Sequence, residues 1–133
     1  ASYLEQRIEV CNAAGISADR IILDPGFGFG KSLAHNLRLL NRLEVLHGLH
    51  LPLLLGTSRK SMIDHVLGRP VDDRLAGGLA TVAIGMMKRA AIFRVHDVRE
   101  TVDVVRMCEA VMNEALVNEA ESHGPFYDEK QES

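Results

Sequence analysis

The sequence predicts an α/β fold in which parallel strands alternate with helices. Three short stretches rich in apolar residues, at 21–23, 51–55 and 91–96, have the length and composition of buried strands. Each ends in a cluster of polar residues and is followed by apolar residues at helical spacing. This alternation is typical of right-handed parallel strand–helix–strand units. We therefore expect one helix and then three strand-loop-helix units, with the polar clusters meeting at the carboxyl edge of the strands.

The first helix and the first strand lead directly to an acidic residue. Leu4, Ile8 and Cys11 recur at helical spacing, and Gly15 is expected to end this helix in the left-handed conformation. Residues 21–23 then form a strand that stops before Pro25, because proline cannot donate a ladder hydrogen bond. The carboxylate that follows this strand, Asp24, is therefore expected at the edge where ligands bind.

The first strand is followed by a glycine-rich loop and a leucine-rich helix. Leucines at positions 37, 40, 43 and 46 make one apolar stripe, and Gly48 is expected to end the helix. Residues 51–55 form the second strand. Ser58 or Ser61 is expected to cap a short helix that reaches Leu67.

The longest predicted helices lie on either side of the third strand. Asp72 or Asp73 is expected to cap a helix that runs to about Ala90, and its many small residues predict close approach of a neighbouring element. Residues 91–96 form the third strand, and a last helix is expected from about 99 to 119. We expect one domain over residues 1–118 and a polar, disordered tail over 119–133.

Composition and charge exclude several classes of protein. The chain has 133 residues, is 47% hydrophobic and carries a net charge of −3, most of it in the acidic tail. Basic residues are scattered among acids, so we expect no nucleic-acid partner. We find neither a signal-peptide pattern nor an apolar run that could span a bilayer, which predicts no membrane partner and a cytoplasmic location. The two cysteines are expected to be reduced, and the start without Met is expected of a cut chain.

The loop at 24–31 reads DPGFGFGK and is the first candidate binding site. It fails the spacing of a P-loop and of the dinucleotide fingerprint GxGxxG. A simple tight turn would also explain its glycines. However, Phe27 and Phe29 place two aromatic rings on a loop, and this favours a flat aromatic substrate.

Two further loops carry cationic residues. The second loop, SRKS at 58–61, has two cations beside a helix start, although a solvated charge pair would be the usual explanation. In the third loop, RVHD at 94–97, Arg94 and His96 lie on the same face of a strand and would suit a polyanion. A lone histidine there would more often be structural. All three loops together indicate a site for a hydrogen-bonding ring, an anionic aromatic compound and a pyrophosphate.

These three motifs, in this order and at these separations, closely resemble the carboxyl-terminal half of bacterial dihydropteroate synthases. The resemblance implies the last three strand-helix units of a (β/α)8 barrel, with the helix before them. It also implies an enzyme of folate biosynthesis, and a target of sulfonamides, that condenses 6-hydroxymethyl-7,8-dihydropterin pyrophosphate with p-aminobenzoate. The products would be 7,8-dihydropteroate and pyrophosphate.

The resemblance assigns roles residue by residue. Asp24, Gly28, Lys60 and Arg94 would bind the pterin, and Phe29, Lys60 and Ser61 would form the p-aminobenzoate site. Arg94 and His96 would hold the pyrophosphate. Lys60, Arg94 and His96 would therefore be the catalytic residues.

The resemblance also implies parts that this chain lacks. Family enzymes use Mg²⁺ on the pyrophosphate, with protein ligands from earlier strands, so no metal ligand is expected here. We expect a homodimer or pairing with the missing amino-terminal half, and no turnover by the chain alone. Two alternatives remain: another pterin-binding barrel, such as a methyltetrahydrofolate-dependent methyltransferase, and a non-catalytic half-barrel that self-associates.

Overall fold

The computed structural model describes residues 2–114, which form five α-helices, short 3-10 turns and a small parallel sheet. Two of the three predicted strand-loop-helix units are present in these residues, because only two strands form and the first two α-helices follow each other without a strand between them. The elements are α1 (Ser2–Ala13), α2 (Leu33–Asn41), β1 (Leu54–Leu55), α3 (Ser61–Leu67), α4 (Leu75–Met87), β2 (Ile92–Phe93) and α5 (Val98–Met112).

The strands are parallel, and their order follows the chain. In β1 and β2, Leu54 pairs with Ile92 and Leu55 pairs with Phe93. The predicted strand at 21–23 forms only one parallel bridge, between Leu23 and Leu53, so the prediction of a full strand there is wrong. Among the described residues, this segment has a strand beside it on one side only. Its ladder hydrogen bonds run from the Leu23 N–H to the Pro52 carbonyl and from the Leu54 N–H to the Leu23 carbonyl.

The core lies between the short sheet and the helices that follow it. Its largest fully buried side chains are Phe27, Leu43, Leu53 and Leu55. Phe27 is unusual because it belongs to the glycine-rich loop and yet is completely buried. The core therefore anchors the loop as well as the sheet.

The predicted leucine helix is divided at Arg42. Helix α2 ends at Asn41, and a 3-10 helix continues from Leu43 to Leu49 and ends at His50, which has φ 56°, rather than at Gly48. Because a 3-10 helix repeats every three residues, Leu43 and Leu46 stay buried on the same face. Leu40, Leu43 and Leu46 thus share a buried face although the helix is not continuous, whereas Leu37 is 42% exposed and does not belong to it.

The predicted caps are wrong at two helices. Asp72 and Asp73 lie in a 3-10 turn, Val71–Asp73, and α4 begins after Arg74 without a side-chain cap. Lys60, rather than Ser58 or Ser61, precedes the first turn of α3, because the Ser58 hydroxyl is bonded to His96. In both cases a longer-range contact determines where the helix begins.

The ends of α4 and β2 also differ from the expected bounds. Helix α4 ends at Met87 instead of Ala90, since Arg89 has φ 61° and cannot continue the helix. Strand β2 covers only part of the predicted 91–96 strand. The predicted end of the last helix near 119 and the predicted tail at 119–133 lie outside the described residues.

Candidate active site

The loops that follow Leu23, β1 and β2 meet at one edge of the sheet. Asp24 and Arg94, which are distant in sequence, form an ion pair with 3.0 Å between Oδ2 of the carboxylate and a guanidinium nitrogen. The pair is partly exposed and therefore accessible to a ligand. The Arg94 guanidinium lies close over Gly56, where a Cβ would be 2.6 Å from its nearest nitrogen. Gly56 thus gives Arg94 the room to reach Asp24.

The glycine-rich loop is tightly folded on itself. The Asp24 carboxylate accepts a hydrogen bond from the Gly26 N–H at 2.9 Å. Lys31 donates from Nζ to the Gly26 carbonyl at 2.7 Å, so this lysine braces its own loop. Gly28 has φ 83°, a backbone conformation that disfavours any side chain.

One residue of this loop's support was not predicted from the sequence. Asn36 on α2 is only 4% exposed, and its Oδ1 accepts the Gly28 N–H at 2.9 Å. Its side-chain amide donates to the Ser32 carbonyl at 3.2 Å. An isolated asparagine within a leucine-rich helix gave no signal of this role, because the contact depends on how the loop returns to the helix.

Lys60 connects the second loop to the glycine-rich loop. Its ammonium donates to the Phe27 carbonyl and lies 4.8 Å from the centre of the Phe29 ring. The Phe29 side chain is 72% exposed, so one face of the ring remains free. Burial lowers the pKa of Lys60, the positive charge of Arg94 lowers it further, and Asp24 partly opposes both.

The second and third loops are joined by two polar contacts. Ser58 Oγ lies 2.9 Å from His96 Nδ1, and the Arg59 guanidinium lies 2.8 Å from the Asp97 carboxylate. The hydrogen bond from Arg59 holds the pKa of the Asp97 carboxyl below its ordinary value. These contacts fix His96 beside the loop that carries Lys60. Ser61 is the first residue of α3 and is exposed.

Two further supports of the second loop were also missed. Arg59 has φ 57°, and Arg74 donates to its carbonyl at 2.9 Å while also pairing with Asp64. Beneath the loop, the buried hydroxyls of Thr57 and Thr81 lie 2.7 Å apart. These residues hold the unusual backbone of the loop in place.

The candidate residues line two cavities. A cavity of about 630 Å³ extends from Asp24 and Pro25 past Phe29 and Lys31 to α1. A smaller cavity of about 140 Å³ is bounded by Lys60, Arg94 and His96, among other residues of the second and third loops. The first is large enough for a small ring compound, and the second is surrounded by nitrogen donors.

Within residues 2–114, no helix has the length and apolar character needed to cross a membrane. Across the same residues, no group of three or more His, Cys, Asp or Glu side chains comes together as a metal site.

This fold and site define the class to which the protein belongs. The model of a family described as pterin binding enzyme matches residues 1–96. The chain therefore belongs to the pterin-binding enzymes. Its parallel strands and the loops at their carboxyl edge agree with that membership.

The relatives that the chain matches include several dihydropteroate synthases. The Escherichia coli enzyme is 50% identical over 111 residues, which cover 84% of this chain but only 39% of that relative. The Yersinia pestis dihydropteroate synthase structure has a TM-score of 0.83 at 48% identity, with 84% of this chain and 53% of that chain covered. A second Y. pestis structure, in complex with a sulfonamide drug, has the same TM-score and identity, with 85% and 41% covered. The chain thus spans well under two thirds of these proteins.

Proposed function

We propose that this chain is the carboxyl-terminal part of a dihydropteroate synthase and forms part of its (β/α)8 barrel. The single observation that carries the proposal is the meeting of Asp24, Lys60 and Arg94 at one edge of a parallel sheet. The relatives named above supply the reaction class. A pterin-binding methyltransferase would have less use for the cationic cavity around Arg94 and His96.

The pterin would bind against the Asp24 carboxylate. An ionised carboxylate has about four lone-pair positions and donates nothing. Gly26 and Arg94 occupy one position on each oxygen, which leaves acceptor capacity for ring and amino N–H groups.

The p-aminobenzoate would bind on the exposed face of Phe29. Its ring would stack there, and its carboxylate would lie near the Lys60 ammonium and the Ser61 hydroxyl. This placement would leave the amino group directed toward the pterin.

In the reaction, the amine nitrogen would form a bond to the pterin methylene carbon as that carbon's bond to oxygen breaks. Pyrophosphate would leave with the bonding electrons, and the amine would lose a proton. Arg94 and His96 border the small cavity and would donate to the departing oxygens. Fixed donors stabilise charge most effectively where it develops.

Mg²⁺ remains a proposal drawn from the family resemblance. The donor set in this part of the protein does not fit a magnesium site, since the small cavity is bordered by Lys60, Arg94 and His96. Asp24 already accepts from Arg94 and Gly26. Any Mg²⁺ would therefore need protein ligands outside this chain. A cytoplasmic location likewise stays a prediction.

The test is to restore the missing part. We define the completed enzyme as this chain joined after the portion of E. coli dihydropteroate synthase that it does not match. We expect it to form dihydropteroate from the two substrates, whereas the 133-residue chain alone should show no turnover. The chain alone lacks the first strands and their loops.

Two outcomes would contradict the proposal. One is turnover by the purified chain alone, which would show that the site is already complete. The other is a folded completed enzyme that binds methyltetrahydrofolate but neither p-aminobenzoate nor pyrophosphate in calorimetry, which would favour the methyltransferase class. Asp24→Asn in the completed enzyme is the matched inactive control, because it keeps the side-chain shape but replaces one acceptor with a donor.

A further inference from the structure

The glycine-rich loop is fixed at two separate places. Its first half is held by Asp24, which accepts from the Gly26 N–H at 2.9 Å. Its second half is held by Asn36, which accepts from the Gly28 N–H at 2.9 Å and donates to the Ser32 carbonyl at 3.2 Å. The two anchors belong to different elements, so they can be removed independently.

The second anchor lies between the two phenylalanines of the loop. Phe27 is fully buried and needs little additional restraint, whereas Phe29 is 72% exposed and has few apolar neighbours to hold it. Gly28 connects them, and its left-handed backbone places it beside the aliphatic part of Lys60. The Phe29 N–H donates to the Gly26 carbonyl at 3.3 Å, and the Gly28 N–H donates to Asn36 at 2.9 Å, so the anchor on Gly28 is one of two backbone restraints on the direction in which Phe29 leaves the core.

We propose that Asn36 is a positioning residue for the aromatic-amine subsite. By fixing Gly28, it keeps the Phe29 ring over the Lys60 ammonium, where the ring of p-aminobenzoate would stack. This inference rests on the proposed function. It concerns a residue that contacts neither substrate and acts through the loop backbone.

Replacement of Asn36 should weaken the binding of the two substrates to different extents. Asp24 keeps its own contacts with Gly26 and Arg94 when Asn36 is replaced, so the carboxylate that would bind the pterin stays in place. Gly28, which the resemblance also assigns to the pterin, loses one hydrogen bond, and we expect the larger effect at Phe29, which directly follows it. A loss of general stability would not discriminate between the substrates in this way.

The test is Asn36→Ala in the completed enzyme, with steady-state kinetics for each substrate. Loss of one buried anchor predicts a rise of about tenfold in KM for p-aminobenzoate. The KM for the pterin pyrophosphate should rise by a smaller factor, about twofold or less, because the Asp24 carboxylate keeps its contacts with Gly26 and Arg94. Equal rises in both KM values, or no rise in either, would overturn the inference.

Two control variants separate positioning from folding. Asn36→Asp keeps an acceptor for the Gly28 N–H but loses the donor to the Ser32 carbonyl, so it should restore part of the affinity for p-aminobenzoate. Leu43→Ala removes a buried side chain from the neighbouring 3-10 helix and should lower the unfolding temperature without altering the ratio of the two KM values. A changed ratio in Leu43→Ala would contradict the assignment.

A measurement that needs no turnover keeps the two proposals distinguishable. Hydrogen exchange of the Gly28 amide should become faster in Asn36→Ala, whereas the Leu54 amide, bonded to Leu23 at 2.8 Å, should stay protected. Unchanged Gly28 exchange would overturn the role of Asn36 even in an active enzyme. An inactive completed enzyme would overturn the proposed function, and the exchange of Gly28 would still decide this inference.

Discussion

At the scale of single residues, Lys60 occupies the most informative position in the site. It lies between the positive charge of Arg94 and the negative charge of Asp24, with the Phe29 ring beside it. Burial has the largest effect and disfavours the charged ammonium, so the pKa of Lys60 is lowered in the folded protein. Folding therefore becomes more favourable as the pH rises from this lowered pKa to the ordinary lysine value.

We expect replacements of the two charged neighbours to shift the pKa of Lys60 in opposite directions. Arg94→Gln removes a repulsive charge and should raise the pKa, whereas Asp24→Asn removes an attractive charge and should lower it. The measurement is an NMR titration of the Lys60 side chain in the completed enzyme, assigned by the signal lost in Lys60→Arg. Shifts of the same sign would show that the two charges do not act directly on Lys60.

The residues that contact the proposed ligands were easier to predict than the residues that support them. Asp24, Lys60 and Arg94 stand at strand ends, where the sequence pattern itself marks a site. Asn36, Arg74 and the pair Thr57 and Thr81 act through contacts between elements. Such contacts depend on tertiary packing. The distance between Asn36 and Gly28 therefore could not be predicted from a single sequence.

At the scale of elements, α4 depends on glycines where it crosses its neighbours. A Cβ on Gly85 would lie 2.5 Å from Leu55 Cδ2 and 2.9 Å from Phe93 Cε1. A Cβ on Gly78 would meet nothing within 4 Å. The prediction that small residues allow close approach is therefore confirmed at Gly85 but not at Gly78.

We expect alanine substitutions at these two glycines to change stability in opposite directions. Gly85→Ala should destabilise the protein by about 1–3 kcal/mol, because it overpacks the contact with β1 and β2. Gly78→Ala should stabilise it by about 0.5–1 kcal/mol, since alanine is the better helix former. Urea unfolding of the completed enzyme measures both, and a stabilising Gly85→Ala would show that the helix can move away from the sheet.

The order of the elements was easier to predict from the sequence than the residues at which they begin and end. Strand-loop-helix alternation follows from hydrophobic periodicity, and the structure confirms it for the units that begin with β1 and β2 but not for the segment at 21–23. The break at Arg42 could not be predicted, because leucines three residues apart suit both an α-helix and a 3-10 helix. Arg74 likewise displaced Asp72 and Asp73 from the start of α4 through its contacts with Arg59 and Asp64.

At the scale of the whole molecule, large apolar side chains are exposed on many elements of residues 2–114, including the segment before Leu23, β2 and α5. Ile22, before the bridge at Leu23, is 51% exposed, and Ile92 on β2 is 37% exposed. A groove of about 570 Å³ runs beside β2 and α5 and includes Val98 and Val102, which are 61% and 40% exposed. In the proposed barrel, the missing strands and helices would cover this surface.

We expect the isolated chain to self-associate through this apolar surface, because two copies would bury the same side chains that the missing part covers. Light scattering over a range of concentrations should give a mass above that of the 14.6 kDa monomer. Val102→Lys should lower the mass, because a charge in the groove is costly to bury. Val66→Lys, at a residue 56% exposed on α3 and outside the groove, is the matched control and should leave the mass unchanged. A monodisperse monomer at all concentrations would contradict self-association. It would show that the isolated chain tolerates its exposed apolar surface without a partner.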